Sequence, residues 1–281
     1  MLDPFQDYAF FRHGITVATL AGALCGLIGV YVVLRGMSYI GHGLSHAIFG
    51  GAVASYALNL NFYLGAGAWG LAAALMIGRV SRRRTIGSDA AIGVVTSSSF
   101  AVGAVIISVI GSFTRNLEAV LFGNVLGVTR TDVVIVAAVT VFAFGVVFLQ
   151  YRQLLFSTFD PEVAEVSGVN TARTDVLLSL TLTALITVCM NVLGVTLIAA
   201  MLVIPPVVAR LLTDSFGRML VISTGVGTCC GFVGVYLSYY LDWPSGPAVV
   251  LTASTLFVLA YAYSWLGRRR IPATALDAHV G

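Results

Sequence analysis

The sequence predicts an all-α polytopic membrane protein, and three observations carry that reading. Apolar residues make up 58% of the chain and charged residues only 10%, whereas a soluble domain carries roughly 25% charge. Apolar runs of about twenty residues recur from end to end, each long enough to cross a hydrocarbon core of ~30 Å as a helix. The chain contains no lysine, and its arginines gather at the ends of those runs.

The runs fall at about 13–36, 44–61, 62–80, 89–111, 132–151, 174–192, 195–212, 219–240 and 246–267. The first follows acidic residues, Asp3 and Asp7, instead of a basic segment, and it lacks a small-residue cleavage site. It is therefore a retained span and not a signal peptide. The second opens on "GHGLSHAIFGG", with His42 and His46 one helical turn apart. Only Asn59, Asn61, Gly65 and Gly67 separate it from the third run. Similarly, only Asn191 and Gly194 divide the stretch from Val176 to Leu212. Eight or nine spans are both compatible with these weak boundaries. The fourth run opens on Ser88 and Asp89, and a twenty-residue polar-flanked stretch, "SFTRNLEAVLFGNVLGVTRT", leads to the fifth. Between the fifth and sixth lies the largest polar interruption, "YRQLLFSTFDPEVAEVSGVNTARTD". The seventh carries Pro205 and Pro206 in its interior, and the eighth and ninth are joined through "LDWPSGP". Glycine-rich faces such as "GALCGLIG" and "GVGTCCGFVG" let helix backbones approach closely.

Residues 1–270 thus form one membrane domain, and the polar tail 271–281 is expected to be disordered, with no evident role for His279. The arginines at 79–84, 152, 173, 210, 218 and 268–270 mark the cytoplasmic ends. With nine spans the N-terminus lies outside. The net charge of +3 implies no nucleic acid, and the arginine clusters face lipid headgroups instead. The four cysteines sit inside apolar runs without Cys-x-x-Cys spacing and read as packing residues. Without lysine the chain has no phosphate-binding loop, so it does not hydrolyse ATP by that route.

Four features could carry chemistry. At i and i+4, His42 and His46 share a helix face, an arrangement that suits zinc and is acceptable for iron or manganese; interfacial histidines satisfied by water are the alternative. No glutamate stands between them, so a zinc protease is disfavoured. Asp89 follows an N-cap serine and is explained as a first-turn carboxylate, or, if deeper, as an intramembrane path residue. In the loop at about 152–173, Asp160 precedes Pro161, Glu162 favours a helix N-terminus, and Gly168 can stop the helix. A short cytoplasmic helix results, either a plain surface element or a plug docking into a partner. Pro205 and Pro206 remove two backbone donors, giving either a packing kink or a broken helix beside a watery path.

Together these segments are similar to the membrane permease subunits of ABC-type importers for manganese, zinc and iron. "MSYIGHGLSHAIFGG", "IGSDAAIGVV", "LFGNVLGVTRTD", "FDPEVAEVSGV" and "AMLVIPPVVARLLT" carry the resemblance, from about residue 12 to 267. It implies a permease of the bacterial plasma membrane that works as two copies. A pair of cytoplasmic ATPase subunits would drive it, and an extracellular metal-binding lipoprotein would deliver the ion. The chain itself would be no enzyme and would hold no permanent cofactor; manganese, zinc or ferrous iron would be cargo. The Asp160–Gly168 segment resembles the family's coupling helix, and the stretches Leu117–Asn124 and Asp242–Gly246 become docking surfaces for the lipoprotein. His46 matches the family histidine, whereas His42 stands where the family has aspartate. The family's Leu-Pro-Gly is Phe49-Gly50-Gly51 here.

Two other classes remain open on the residues alone. An ion-gradient-driven secondary metal transporter would need carboxylates in mid-span, yet Asp89, Asp132 and Asp175 all lie near run ends. An intramembrane hydrolase would need a nucleophile motif that the sequence lacks.

Overall fold

The computed structural model describes residues 9–58, 60–81, 87–110, 123, 127–195 and 197–268. Among them are eleven helices and no strand: α1 (Ala9–Leu34), α2 (Ile40–Ala57), α3 (Phe62–Ser81), α4 (Ser88–Ile110), α5 (Arg130–Leu149), α6 (Tyr151–Phe159), α7 (Pro161–Val166), α8 (Thr171–Leu193), α9 (Ile198–Leu212), α10 (Phe216–Leu241) and α11 (Ser245–Arg268). Each of the nine apolar runs is a helix, and both weak boundaries are breaks. Seven of the nine are long and apolar enough to cross a membrane. The other two are α2, with 18 residues interrupted by glycine, serine and histidine, and α9, with 15. At 1.5 Å per residue α9 is about 22 Å long, short of a full hydrocarbon core.

The centre is α1, the most deeply buried of the apolar spans. It lies antiparallel to α10 along a seam of small residues. A Cβ on Gly22 would collide with the Gly227 carbonyl, one on Gly26 with the Ser223 carbonyl, and one on Gly231 with the Ala18 carbonyl. Small residues four apart on both helices bring the backbones together, and Ser223 Oγ donates to the Gly26 carbonyl at 2.6 Å. Helices α9 and α11 complete this half of the molecule. The second group is α2, α3 and α4, also knitted through glycine: Gly50 meets Ser99 and Gly103 of α4, and Gly51 meets Trp69 of α3. Helix α8 touches both groups.

Of the two readings of Pro205 and Pro206, a packing kink or a broken helix, the structure does not show the break. Helix α9 runs through both prolines, which are buried. The two missing N–H groups leave the Met201 and Leu202 carbonyls without their helical donors. The Leu202 carbonyl instead meets Gly29 of α1, where a Cβ would not fit, so a Cα–H group faces the freed oxygen. The true interruption lies upstream, where α8 stops at Leu193 and Gly194 takes φ +79°.

Helix α6, which carries Arg152, and α7 meet the ends of α1, α5, α8 and α10 near Arg35, Leu149, Arg173 and Arg218. Phe216 at the start of α10 packs its ring 5.6 Å from Tyr31, 5.7 Å from Tyr151 and 5.8 Å from Phe159. By the arginine rule this is the cytoplasmic end. Parts of the expected arginine clusters, the stretch Leu117–Asn124 apart from Gly123, and the tail 271–281 lie outside the described residues.

Candidate metal path and coupling segment

The histidine pair sits in the first turns of α2. Their ring centroids are 4.6 Å apart and nearly perpendicular, as the i, i+4 spacing requires. His42 is exposed and His46 half-buried, with the His46 ring edge-on to Phe100 of α4 at 5.7 Å. Phe100 in turn stacks on Phe49. The pair therefore lies on an open face with an aromatic wall on one side. Gly43 between the histidines presses on Ile92 and Thr96 of α4, and Gly41 on Leu202 of α9. Both glycines let α2 close against its neighbours.

Two hydroxyls that the sequence reading did not single out fix this turn. Ser45 Oγ lies 2.9 Å from the His42 carbonyl and 3.0 Å from the Val195 carbonyl. It can share its proton between them, and it ties the histidine turn to the interruption between α8 and α9. On the other side Trp69 Nε1 donates to Ser99 Oγ at 2.6 Å, and Ser99 Oγ donates to the Ala47 carbonyl at 2.8 Å. The only sequence signal for these roles is serine inside apolar runs, where an unpaired hydroxyl is costly. Among the described residues, no three His, Cys, Asp or Glu side chains come together to hold a metal ion. One protomer thus offers two imidazole nitrogens and no closed cage.

Asp89 is exposed in the first turn of α4, a favourable place for a carboxylate. It does not join His42 and His46 in a cluster of three, and Pro206 is buried against Gly29 of α1. The other carboxylates of the spans are also terminal. Asp132 closes a capping box with Thr129 at the start of α5 and accepts from the Tyr63 hydroxyl. Asp175 pairs with Arg35 at 2.7 Å.

The 152–173 loop folds into α6, α7 and the start of α8. Asp160 is the N-cap of α7, its side chain accepting from Val163 N–H at 3.0 Å, with Pro161 in the first helical position. Glu162 is exposed in the first turn. The helix ends in a Schellman cap: Val169 N–H donates to the Ala164 carbonyl and Gly168 N–H to the Glu165 carbonyl. Gly168 supplies the required φ of +80°. Thr171 Oγ1 then donates to Glu165 Oε1 at 2.5 Å, and Asn170 caps α8 by accepting from Arg173 N–H. Ala164 is buried, while Phe159, Val163 and Val166 are exposed. A rigid knob with an apolar tip results.

The family model described as the ABC 3 transport family matches residues 7–264. The chain belongs to the ABC 3 transport family. This permease is 36% identical over 276 residues to the manganese transport system membrane protein MntC of Halalkalibacterium halodurans, covering 95% of this chain and 94% of that one. It is 33% identical to the chelated iron transport system membrane protein YfeC of Yersinia pestis, covering 94% and 89%. Among solved structures it is similar to PsaBC from Streptococcus pneumoniae in complex with Fab, with a TM-score of 0.83, 33% identity, and 92% and 93% coverage. The permease is a multi-pass bacterial membrane protein of an ABC transporter, which sets aside the gradient-driven alternative. The terminal positions of its carboxylates accord with that.

Proposed function

We propose that this permease is the translocation subunit of an importer for divalent transition metal ions, with manganese or ferrous iron as its principal cargo. The observation that carries the reading is the perpendicular His42–His46 pair on an open face of α2, in a chain related to manganese and iron transport proteins. Imidazole nitrogens suit first-row divalent ions, zinc included. Two ligands hold an ion too weakly to trap it, which is what a path requires. A second copy of the chain, bringing its own pair, would raise the number to four across the path. No cofactor is needed, since the metal passes through.

ATP hydrolysis belongs to a separate pair of cytoplasmic subunits, and an extracellular metal-binding lipoprotein delivers the ion. One permease domain through residue 270 spans the membrane, with the 152–173 loop as its coupling segment. Exposed Phe159, Val163 and Val166 on a capped short helix have the form of a knob for a groove in the ATPase. Closure of the ATPases would move that knob and switch the face bearing the histidines between the two sides of the membrane.

The test is uptake by the permease reconstituted in proteoliposomes with its ATPase. Manganese, ferrous iron and zinc are offered singly. His42→Ala combined with His46→Ala should abolish accumulation while ATP hydrolysis remains measurable. Accumulation at the unmodified rate would remove the histidines from the path.

A further inference from the structure

The geometry points to Arg35 as the positioning residue that joins the coupling segment to the histidine-bearing helix, an inference that rests on the importer reading above. Its guanidinium makes three hydrogen bonds to two different elements. One terminal nitrogen donates to Asp175 Oδ1 of α8 at 2.7 Å, the other to Ser157 Oγ of α6 at 2.9 Å, and Nε to Thr158 Oγ1 of α6 at 3.3 Å. The Arg35 side chain is only 12% exposed, and Ser157 and Thr158 are buried. An arginine is suited to this place because its planar fork holds several acceptors at fixed angles, which an ammonium does not.

The position of Arg35 in the chain gives the fork its consequence. It is the cap residue of α1, held by a Schellman motif in which Met37 N–H donates to the Val32 carbonyl at 3.0 Å and Gly36 N–H to the Val33 carbonyl at 3.1 Å. Gly36 has φ +68°. The next helix follows at once: Ile40 N–H bonds the Met37 carbonyl at 2.9 Å, and His42 stands in the first turn of α2. At the other end, Thr158 is two residues from Asp160, the cap of α7. The coupling helix and the histidine turn are thus connected through one side chain and two short, hydrogen-bonded pieces of backbone. A displacement of α6 and α7 either carries the α1–α2 turn along or breaks the fork.

The experiment uses the permease assembled with its ATPase in proteoliposomes, with manganese(II) as the probe ion. Ser157→Ala with Thr158→Val removes the α6 arms and leaves the Arg35–Asp175 pair to hold α1 against α8. Arg35→Lys and Arg35→Ala are compared with it. Spin labels at Tyr39 and Gln153, both exposed and off the α7 tip, report the distance between the α1–α2 turn and α6, with Cys229 changed to serine. In the unmodified complex the two labels should keep their separation when ATP is trapped, because the pieces move together. In the Ser157/Thr158 variant the separation should change by several ångströms, and manganese taken up per ATP hydrolysed should fall at least fivefold at unchanged thermal stability. Arg35→Lys should fall between the two. Equal label behaviour and equal uptake per ATP in variant and parent would overturn the inference. So would a variant in which uptake and hydrolysis fall in proportion with the melting temperature, the sign of a merely structural role. An unmodified complex that accumulates none of the three metals would defeat the importer reading, while the label distances would still decide the role of Arg35.

Discussion

At the residue scale, position 42 would set the chemistry of the proposed path. A carboxylate there would bring a negative charge to a dication in a low-dielectric channel, and oxygen suits manganese better than a second imidazole does. His42→Asp is therefore expected to shift relative uptake toward manganese and away from zinc, read by competition between the two ions in proteoliposomes. His46 is the common element in both arrangements, and its loss should cost more than either substitution at 42. Residue-scale effects also decide whether α7 exists. Six residues cannot hold a helix by themselves, since isolated helices of that length are marginal in water. Its order depends on the Asp160 cap and on Gly168. Asp160→Ala should cost about 1 kcal/mol locally, and Gly168→Ala, forced into a left-handed backbone, about 1–2 kcal/mol. Either should speed hydrogen exchange at 161–166 while leaving the spans protected.

At the element scale, the seam between α1 and α10 is an intolerant contact. Gly22 and Gly227 each block the other's Cβ with a backbone carbonyl, and backbone cannot yield as a flexible side chain can. Gly22→Leu is expected to prevent recovery of folded permease in detergent. Gly67→Ala in α3 is the matched control, because a Cβ there meets nothing within 4 Å. It should leave the melting temperature unchanged or raise it slightly, as alanine is favoured over glycine in helices by about 1 kcal/mol. The elements themselves were legible because an apolar run of bilayer length has little choice but helix. Asn61 and Gly194 marked breaks that the structure contains. The prolines left kink and break both open because local chemistry says only that two carbonyls lose donors. Whether the helix then breaks depends on what stands opposite, and Gly29 is 173 positions away from Leu202 in the chain. The Ser45–Val195 and Arg35–Asp175 contacts were hidden for the same reason, their partners standing 150 and 140 positions apart. Asp175 read correctly as a terminal carboxylate, but nothing near it in sequence named its arginine.

At the scale of the whole molecule, the importer proposed above needs a contact through which a separate ATPase would drive the permease. The exposed apolar tip of α7 is the surface with the right form for that contact. Val166 is 91% exposed and Val163 51% exposed, at the end that the arginines mark as cytoplasmic. Leaving such side chains in water forgoes burial worth about 25 cal/mol per Å², and docking on an ATPase groove would recover it. Val166→Asp separates the two roles that any residue here could have. A substitution at so exposed a site usually changes stability by within about 0.5 kcal/mol, so the permease should purify with an unchanged melting temperature and intact spans. A charge buried in an apolar groove is strongly unfavourable, so the ATPase should no longer co-purify with it, and metal uptake should fall with the amount of assembled complex. Ala164 cannot serve as this probe, because it is buried beneath the helix and its replacement would disturb α7 itself. Co-purification of the ATPase with the Val166→Asp permease at the parental ratio would show that the α7 tip is not the docking contact.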